Sequence, residues 1–177
     1  MKYKIKDLHF ADLKYNYSLN GKFNNCKLIR YTYNEEEIEF QTPKVIINDI
    51  IEKDNKHYLI LKVLPTEACR TFYTKINELE ENHNRVLCKH NEWFNSSLHR
   101  DSIKSNINGD LFTVKVPFKY SNPLTKLYDK DSNLFNYYHL KKGMEIICLL
   151  STDNLWINFD NLVTYNLSTK EILVTKK

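Results

Sequence analysis

Basic side chains and tyrosines stand beside one another at several points of this sequence. A nucleic-acid strand is held by cations that neutralise its phosphates and by aromatic rings on which its bases stack. Stacking contributes roughly 1–3 kcal/mol per base and tolerates any base. The basic and aromatic residues that fit this description are Arg30, Tyr31, Tyr58, Lys62, Lys115, Lys119, Tyr120, Lys126 and Tyr128. We expect the lysines and Arg30 to neutralise phosphates and the tyrosines to stack on bases.

The same residues have a second interpretation as ordinary parts of a β-sheet. Tyrosines are common in the core and at the rim of sheets, and lysines are usually solvated. For any one pair this second interpretation is the better of the two. The recurrence of such pairs on predicted strands makes the two interpretations about equally strong.

Cysteines and histidines around the middle of the chain could be metal ligands. A structural zinc site needs four ligands at recognised spacings. Cys69 lies upstream, His83 and Cys88 are five residues apart, and His90 follows two residues later. One helix face cannot present the last three together. We therefore expect these side chains to be packed or exposed, and we expect no bound metal.

The sequence carries no recognised catalytic motif, since it has no GxGxxG, P-loop, HExxH or nucleophile elbow. Asp49, Glu52 and Asp54 cluster at a predicted hairpin turn, where carboxylates are common turn formers. We expect a protein that is not an enzyme and has no cofactor. A nuclease that binds a divalent metal through dispersed carboxylates is the less favoured alternative.

Length and composition describe one domain with a substantial core. The chain has 177 residues, of which 42% are hydrophobic and 13% aromatic. Its net charge of +4 and pI near 8.7 suit nucleic-acid binding without requiring it. No segment has the roughly 20 apolar residues of a membrane span, and no apolar stretch of a signal peptide follows the basic start. We expect a cytoplasmic protein with reduced thiols and no membrane partner.

Three segments rich in β-forming residues must position most of the candidate site. Residues 45–51 and 57–64 form a predicted hairpin, and residues 111–120 alternate between apolar and polar side chains. In the second strand Tyr58 and Lys62 share one face, while the opposite, more apolar face should line the core. Tyr58 and Lys62 should therefore point outward or into a groove.

Residues 66–94 show the one long helical pattern, with apolar side chains at steps of three and four. Glu78, Glu80 and Glu81 are assigned to its solvent face. Residues 82–84 (Asn-His-Asn) are poor helix formers, which predicts a break or kink there. If the apolar stripe is wider than the core requires, it forms an oligomer contact. Burial in the core is the favoured alternative, and a homo-oligomer is left open.

The last third of the chain predicts a meander of short antiparallel strands. Apolar runs at 144–150, 155–159, 162–167 and 172–174 are separated by polar turns. Consecutive strands usually pair with their neighbours. The fold class predicted is α+β and β-rich, a small antiparallel barrel with one long helix inserted between its strands. We expect an N-terminal arm over residues 1–26 and a single domain over 27–177.

Over residues 40–174 the chain resembles a known family. The motifs that carry the likeness are Phe40-Gln41-Thr42-Pro43, the strand 57–64, a helix with Phe72, Ile76 and Leu79-Glu80, and an ending with Leu140, Gly143, Ile146-Ile147 and Leu155-Trp156-Ile157. They are similar to those of the single-stranded-DNA-binding proteins of large cytoplasmic DNA viruses and related cytoplasmic linear plasmids. A late glycine of that family is absent, and Asp160-Asn161 takes its place.

The resemblance implies an OB-like barrel that coats single-stranded DNA without sequence preference during viral or plasmid replication. It also implies that the protein works in the cytoplasm, at a virus factory or a plasmid replication site. The partner is then single-stranded nucleic acid, with DNA the favoured kind. The alternative is a non-enzymatic structural or interaction subunit of a virion or of a replication or transcription complex.

Overall fold

A computed structural model describes residues 2–18, 26–94, 103–158 and 160–176. In these ranges the strands are β1 (Lys2–Tyr3), β2 (Lys14–Ser18), β3 (Lys27–Thr32), β4 (Ile38–Gln41), β5 (Val45–Lys53), β6 (Lys56–Val63), β7 (Ile107–Asn108), β8 (Leu111–Val116), β9 (Phe118–Lys119), β10 (Asn122–Pro123), β11 (Lys126–Asp129), β12 (Glu145–Thr152), β13 (Asn154–Ile157), β14 (Val163–Tyr165) and β15 (Ser168–Lys176). The α-helix is α1 (Glu67–Lys89), and short 3₁₀ helices lie at Ile5–Asp7, Phe10–Asp12, Asn91–Trp93 and Tyr137–His139. Parts of the predicted arm (Met1 and residues 19–25) and Phe159 of the second predicted run lie outside the described ranges.

Five strands close into a barrel in the order β5-β6-β8-β15-β12, and β12 pairs back onto β5. All these pairs are antiparallel except β8–β15, which is parallel. Counted along the chain, the barrel strands are neighbours in the order 1-2-3-5-4, the arrangement of an OB-like Greek-key barrel. The predicted fold class is confirmed.

Alternation along the strands separates the barrel interior from its outer face. Leu59 and Leu61 of β6 and Phe112 and Val114 of β8 are buried, because successive side chains of a strand point to opposite sides. The side chains between them point outward, as predicted for Tyr58 and its neighbours.

Helix α1 is inserted between β6 and β8. Its first turn is capped by Thr66, whose side-chain oxygen accepts a hydrogen bond from the backbone N–H of Cys69 at 3.2 Å. Phe72, on its buried stripe, packs its ring against Phe40 and Phe112 at centroid distances of 6.2 and 5.2 Å. The helix therefore covers the barrel with apolar side chains.

Two expectations about this helix are wrong. The helix runs without a break through residues 82–84, because Asn82 is fixed from its side chain: it donates to the Phe10 carbonyl at 2.7 Å and to the Tyr15 hydroxyl at 2.9 Å. Glu80 is only 8% exposed rather than solvated. Its carboxylate accepts hydrogen bonds from the Tyr165 hydroxyl at 2.5 Å and the Asn106 N–H at 3.0 Å, which offset the cost of burial.

A second, four-stranded sheet has the order β14-β13-β3-β2 and packs its inner face on α1. The rings of Tyr31 and Tyr165 lie 4.5 and 5.5 Å from that of His83 on the helix. The predicted meander is thereby corrected. Strand β12 belongs to the barrel, whereas the next strand, β13, pairs with β3 and β14 in the second sheet. These two consecutive strands therefore belong to different sheets and do not pair with each other.

The segment before β3 contributes to both sheets. Strand β1 pairs in parallel with β4, and β2 pairs antiparallel with β3. Between them Leu8 and Phe10 are buried in the core. Among the described helices, none combines the length and the apolar character needed to cross a membrane.

Candidate nucleic-acid interface

The outer face of β6 and β8 brings three of the predicted site residues together. Tyr58 lies directly across from Lys115, and Lys62 lies across from Leu111 near the other end of the pairing. Because directly opposed residues of neighbouring strands point to the same side, Tyr58, Lys62 and Lys115 share one outward surface. We call this surface the β6–β8 face.

The two lysines of the β6–β8 face differ in their electrostatic surroundings. Lys62 forms an exposed ion pair with Asp110 at 3.2 Å. Lys115 is half-buried, and burial lowers its pKa, with the positive charge of Lys56 lowering it further. Both effects disfavour the charged form of Lys115, and a nearby anion would oppose them by favouring that form.

Tyr120 stands at the tip of the β9–β10 hairpin, which follows β8 in the chain. Tyr120 and Ser121 have φ values of 49° and 64°, so the hairpin closes with the two left-handed residues of a type I′ turn. Asparagine and glycine are the usual occupants of such a turn, and other residues there are strained. The ring of Tyr120 is 87% exposed, and the Lys119 ammonium lies 5.5 Å from its centroid. An aromatic ring is thus presented to solvent on a tight turn beside a cation.

An aromatic cluster supports the base of this hairpin. His57 stacks on Phe118 at a centroid distance of 3.7 Å, and Tyr137 meets Phe118 edge-on at 5.1 Å. Tyr138 is 65% exposed and donates its hydroxyl to the Ser121 carbonyl at 3.1 Å. This hydrogen bond links the short helix that carries Tyr138 to the turn that carries Tyr120.

The buried hydroxyl of Tyr137 has no hydrogen-bond partner in the described part of the chain. Burial raises the pKa of Tyr137 to about 12, and the charges of Tyr138 and Glu52 act in the same direction. The phenol is therefore neutral at ordinary pH.

Lys126 and Tyr128 lie on β11, beyond β15 in the sheet. Two threonines join this strand to the β6–β8 face. The Thr125 hydroxyl donates to the Thr169 carbonyl at 3.0 Å, and the Thr169 hydroxyl donates to the Lys115 carbonyl at 3.3 Å. Exposed Lys126 follows directly after this junction, and Tyr128 is half-buried.

Tyr31 and Arg30 are not part of this surface. Tyr31 is 0% exposed and its hydroxyl is hydrogen-bonded to Thr152, so its ring is not available to a base and that prediction is wrong. Arg30 is exposed, but on β3 of the second sheet, opposite Asn154. No strand pairing connects β3 to β6 or β8 in the described ranges.

Sequence reasoning missed Tyr138 and the supporting ring of His57. A signal for Tyr138 was present: Asn136 precedes two adjacent tyrosines in a polar segment, and its side chain caps the short helix by accepting from the Tyr138 N–H at 3.0 Å. His57 was assigned to the core face because its neighbours on alternate positions are apolar. Its contact with Phe118 depends on a hairpin that is distant in sequence.

The cysteines and histidines considered as metal ligands lie apart on and after α1. His83 and Cys69 are buried on α1, while Cys88 is exposed. Across residues 2–18, 26–94, 103–158 and 160–176, no three histidine, cysteine or acidic side chains are grouped as metal ligands.

These observations define an OB-like barrel whose outer face carries lysines and half-buried Tyr58, followed in the chain by a hairpin that presents exposed Tyr120. The fold is similar to that of gp2.5, a single-stranded DNA-binding protein encoded by bacteriophage T7, with a TM-score of 0.58 and 11% identity over 80% of this chain and 87% of that chain. The single-stranded DNA-binding protein from bacteriophage Enc34 gives a TM-score of 0.51 and 10% identity over 93% of this chain and 90% of that chain. No protein-family model and no curated protein matches the sequence. At these identities the likeness shows a shared fold.

Proposed function

We propose that this protein binds single-stranded DNA without sequence preference and serves in DNA replication. The observation that carries the proposal is exposed Tyr120 beside the Lys119 ammonium, on the hairpin that follows β8 and its Lys115 in the chain. The shared fold with two phage proteins described as single-stranded DNA-binding proteins supports it.

The geometry suggests a division of labour among the residues. Tyr120 and Tyr58 would stack on bases, a contact that every base can make. Lys115, Lys119 and Lys126 would neutralise phosphates along the strand. Because neither kind of contact reads a base edge, such a surface binds any sequence.

We base the proposed biological setting of this activity on the sequence resemblance. We place the activity in the replication of a virus or a plasmid in the cytoplasm, with a non-enzymatic role. The protein would then hold the strand rather than act on its bonds.

A second candidate is an interaction subunit of a larger complex. The observation that favours it is exposed apolar surface near β11, where Leu134 is 84% exposed. Tyr128 of β11 forms a β-bridge with Leu134 on one side and pairs with Leu173 of β15 on the other. Exposed apolar rows of this kind are typical of protein contacts.

Fluorescence anisotropy with labelled oligo-dT and a matched duplex tests the proposal. We expect tight binding to the single strand, weaker binding to the duplex, and affinity that falls steeply with salt. Tyr120→Ala should weaken single-strand binding by roughly 1–3 kcal/mol, the contribution of one stacked base. Leu162→Ala, at another exposed apolar position, is the matched control and should not change the affinity. Absence of binding at low salt would favour the interaction subunit.

A further inference from the structure

Three lysines meet at the end of the β6–β8 face that adjoins the β5–β6 turn. Lys53 and Lys56 lie directly opposite each other across that turn. Lys56 is two residues from Tyr58 on the same side of β6, and Tyr58 faces Lys115. Lys115 is therefore the diagonal neighbour of Lys56, within reach of a long side chain. We call Lys53, Lys56 and Lys115 the lysine cluster.

The arrangement is unfavourable in the free protein. Like charges placed directly opposite in a sheet destabilise it. The lowered pKa of Lys115, which arises from burial and from the charge of Lys56, is consistent with this repulsion.

The turn between Lys53 and Lys56 contains one carboxylate, Asp54, which belongs to no ion pair within the described ranges. None of the ion pairs between described residues includes a member of the lysine cluster. Glu52 lies on the other side of β5, where its carboxylate is 3.9 Å from His57. Asp49, on the outer side, faces Ile60 and accepts a hydrogen bond from the Ile50 N–H at 2.9 Å.

The opposite end of the same face is different. There Lys62 is matched by Asp110 at 3.2 Å. The turn end of the β6–β8 face thus carries three lysines that are in no ion pair of the described ranges, whereas Lys62 at the other end is paired with a carboxylate. An anion should bind most favourably at the turn end, because its charge offsets the repulsion between the ammonium groups there.

We propose that the lysine cluster is a phosphate-binding subsite that takes one phosphodiester group of a single-stranded nucleic acid. The inference rests on the proposed function, and it assigns the anchoring of the strand to one end of the face. A strand anchored there can lay the adjoining base on Tyr58, which lies between the cluster and Lys62 on β6.

The double variant Lys56→Gln with Lys115→Gln tests the subsite by anisotropy with oligo-dT over a range of salt concentrations. Losing one phosphate contact should make the slope of log K against log salt shallower by about 0.7. If the two proteins bind equally at about 1 M salt, this difference in slope gives the variant about an eightfold lower affinity at 50 mM salt. An abasic strand of the same length should show the same loss, whereas Tyr120→Ala should weaken binding of oligo-dT only. The arginine variants at the same two positions should restore the slope.

A matched control replaces two exposed lysines elsewhere, Lys89→Gln with Lys104→Gln, and should leave the slope unchanged. Thermal unfolding of the cluster variant should be equal to or above that of the wild type, since a repulsion has been removed; a lower value means that the lysines are structural.

The outcomes separate the two proposals. Wild-type protein that does not bind oligo-dT overturns the proposed function together with the subsite. Wild-type protein that binds, beside a glutamine variant of unchanged affinity and slope, overturns the subsite alone. Inorganic phosphate should compete with oligo-dT at constant ionic strength in the wild type but not in the variant, because phosphate and the phosphodiester group share the subsite.

Discussion

Acid should destabilise this protein through one histidine at the centre of its polar interior. His83 is buried on α1 between the rings of Tyr31 and Tyr165. Its Nδ1 is hydrogen-bonded to the Tyr15 hydroxyl at 2.7 Å, while its buried Nε2 has no partner in the described part of the chain. Burial lowers the pKa of His83 from 6.5 to about 3.

The sign and size of the effect follow from this shift. In the unfolded chain His83 takes up a proton below pH 6.5, whereas in the folded protein it stays neutral down to about pH 3. Stability is therefore fully present above pH 6.5 and is lost progressively as the pH falls toward 3. At about 1.4 kcal/mol per pH unit, the loss is about 2 kcal/mol at pH 5 and about 4 kcal/mol at pH 3.

Urea unfolding of the wild type and of His83→Gln, each at pH 7.5 and pH 5.0, measures this contribution. Glutamine does not titrate, and its carbonyl can accept from Tyr15. The wild type should lose about 2 kcal/mol more than the variant between the two pH values. Other titrating groups are common to both proteins and cancel in the comparison. His83→Phe, which suits the surrounding rings, is a second non-titrating variant. An equal pH dependence of wild type and variants would refute the reasoning.

Substitutions at three further residues have defined outcomes. Asp110→Asn should free Lys62 on the β6–β8 face, raising oligo-dT affinity several-fold at low salt and steepening the salt slope by about 0.7 in anisotropy; unchanged affinity would place Lys62 outside the strand's path. Thr66→Ala removes the cap of α1 and should cost about 1 kcal/mol in urea unfolding, without affecting DNA binding. Glu80→Leu leaves the buried Tyr165 hydroxyl without its acceptor and should cost about 1–3 kcal/mol, whereas Glu80→Gln should cost less. Equal stability of the two Glu80 variants would contradict that account.

Local sequence patterns predicted the helix and strands better than they predicted which strands pair. The alternation in β6 and β8 correctly placed Leu59 and Leu61 inside and Tyr58 outside, and the apolar steps of three and four predicted α1. Both patterns depend on which side of one element is buried. Pairing depends on contacts distant in sequence, so the assignment of β13 to a second sheet had no local signal.

The same distinction explains the error at Tyr31 and the separate position of Arg30. Tyr31 and Arg30 are adjacent on β3, and composition alone favours both as binding residues. Only the packing of the second sheet on α1 shows that one ring is enclosed and that the arginine lies on another surface. Glu80 was assigned to solvent because glutamate is usually exposed, and its acceptor role for Tyr165 depends on a contact 85 residues away.

The pairing of β15 has a consequence for how the chain matures. This strand joins β12, β8 and β11, so the barrel stays unclosed until residues 168–176 have left the ribosome. Up to that moment the nascent protein exposes unpaired edges of β8 and β12 together with their apolar inner faces, a state prone to association with other chains. Closure then requires contacts between segments far apart in sequence, which makes it a slow step in reaching the native state. A chaperone that shields these edges during translation would protect the protein at its most vulnerable stage.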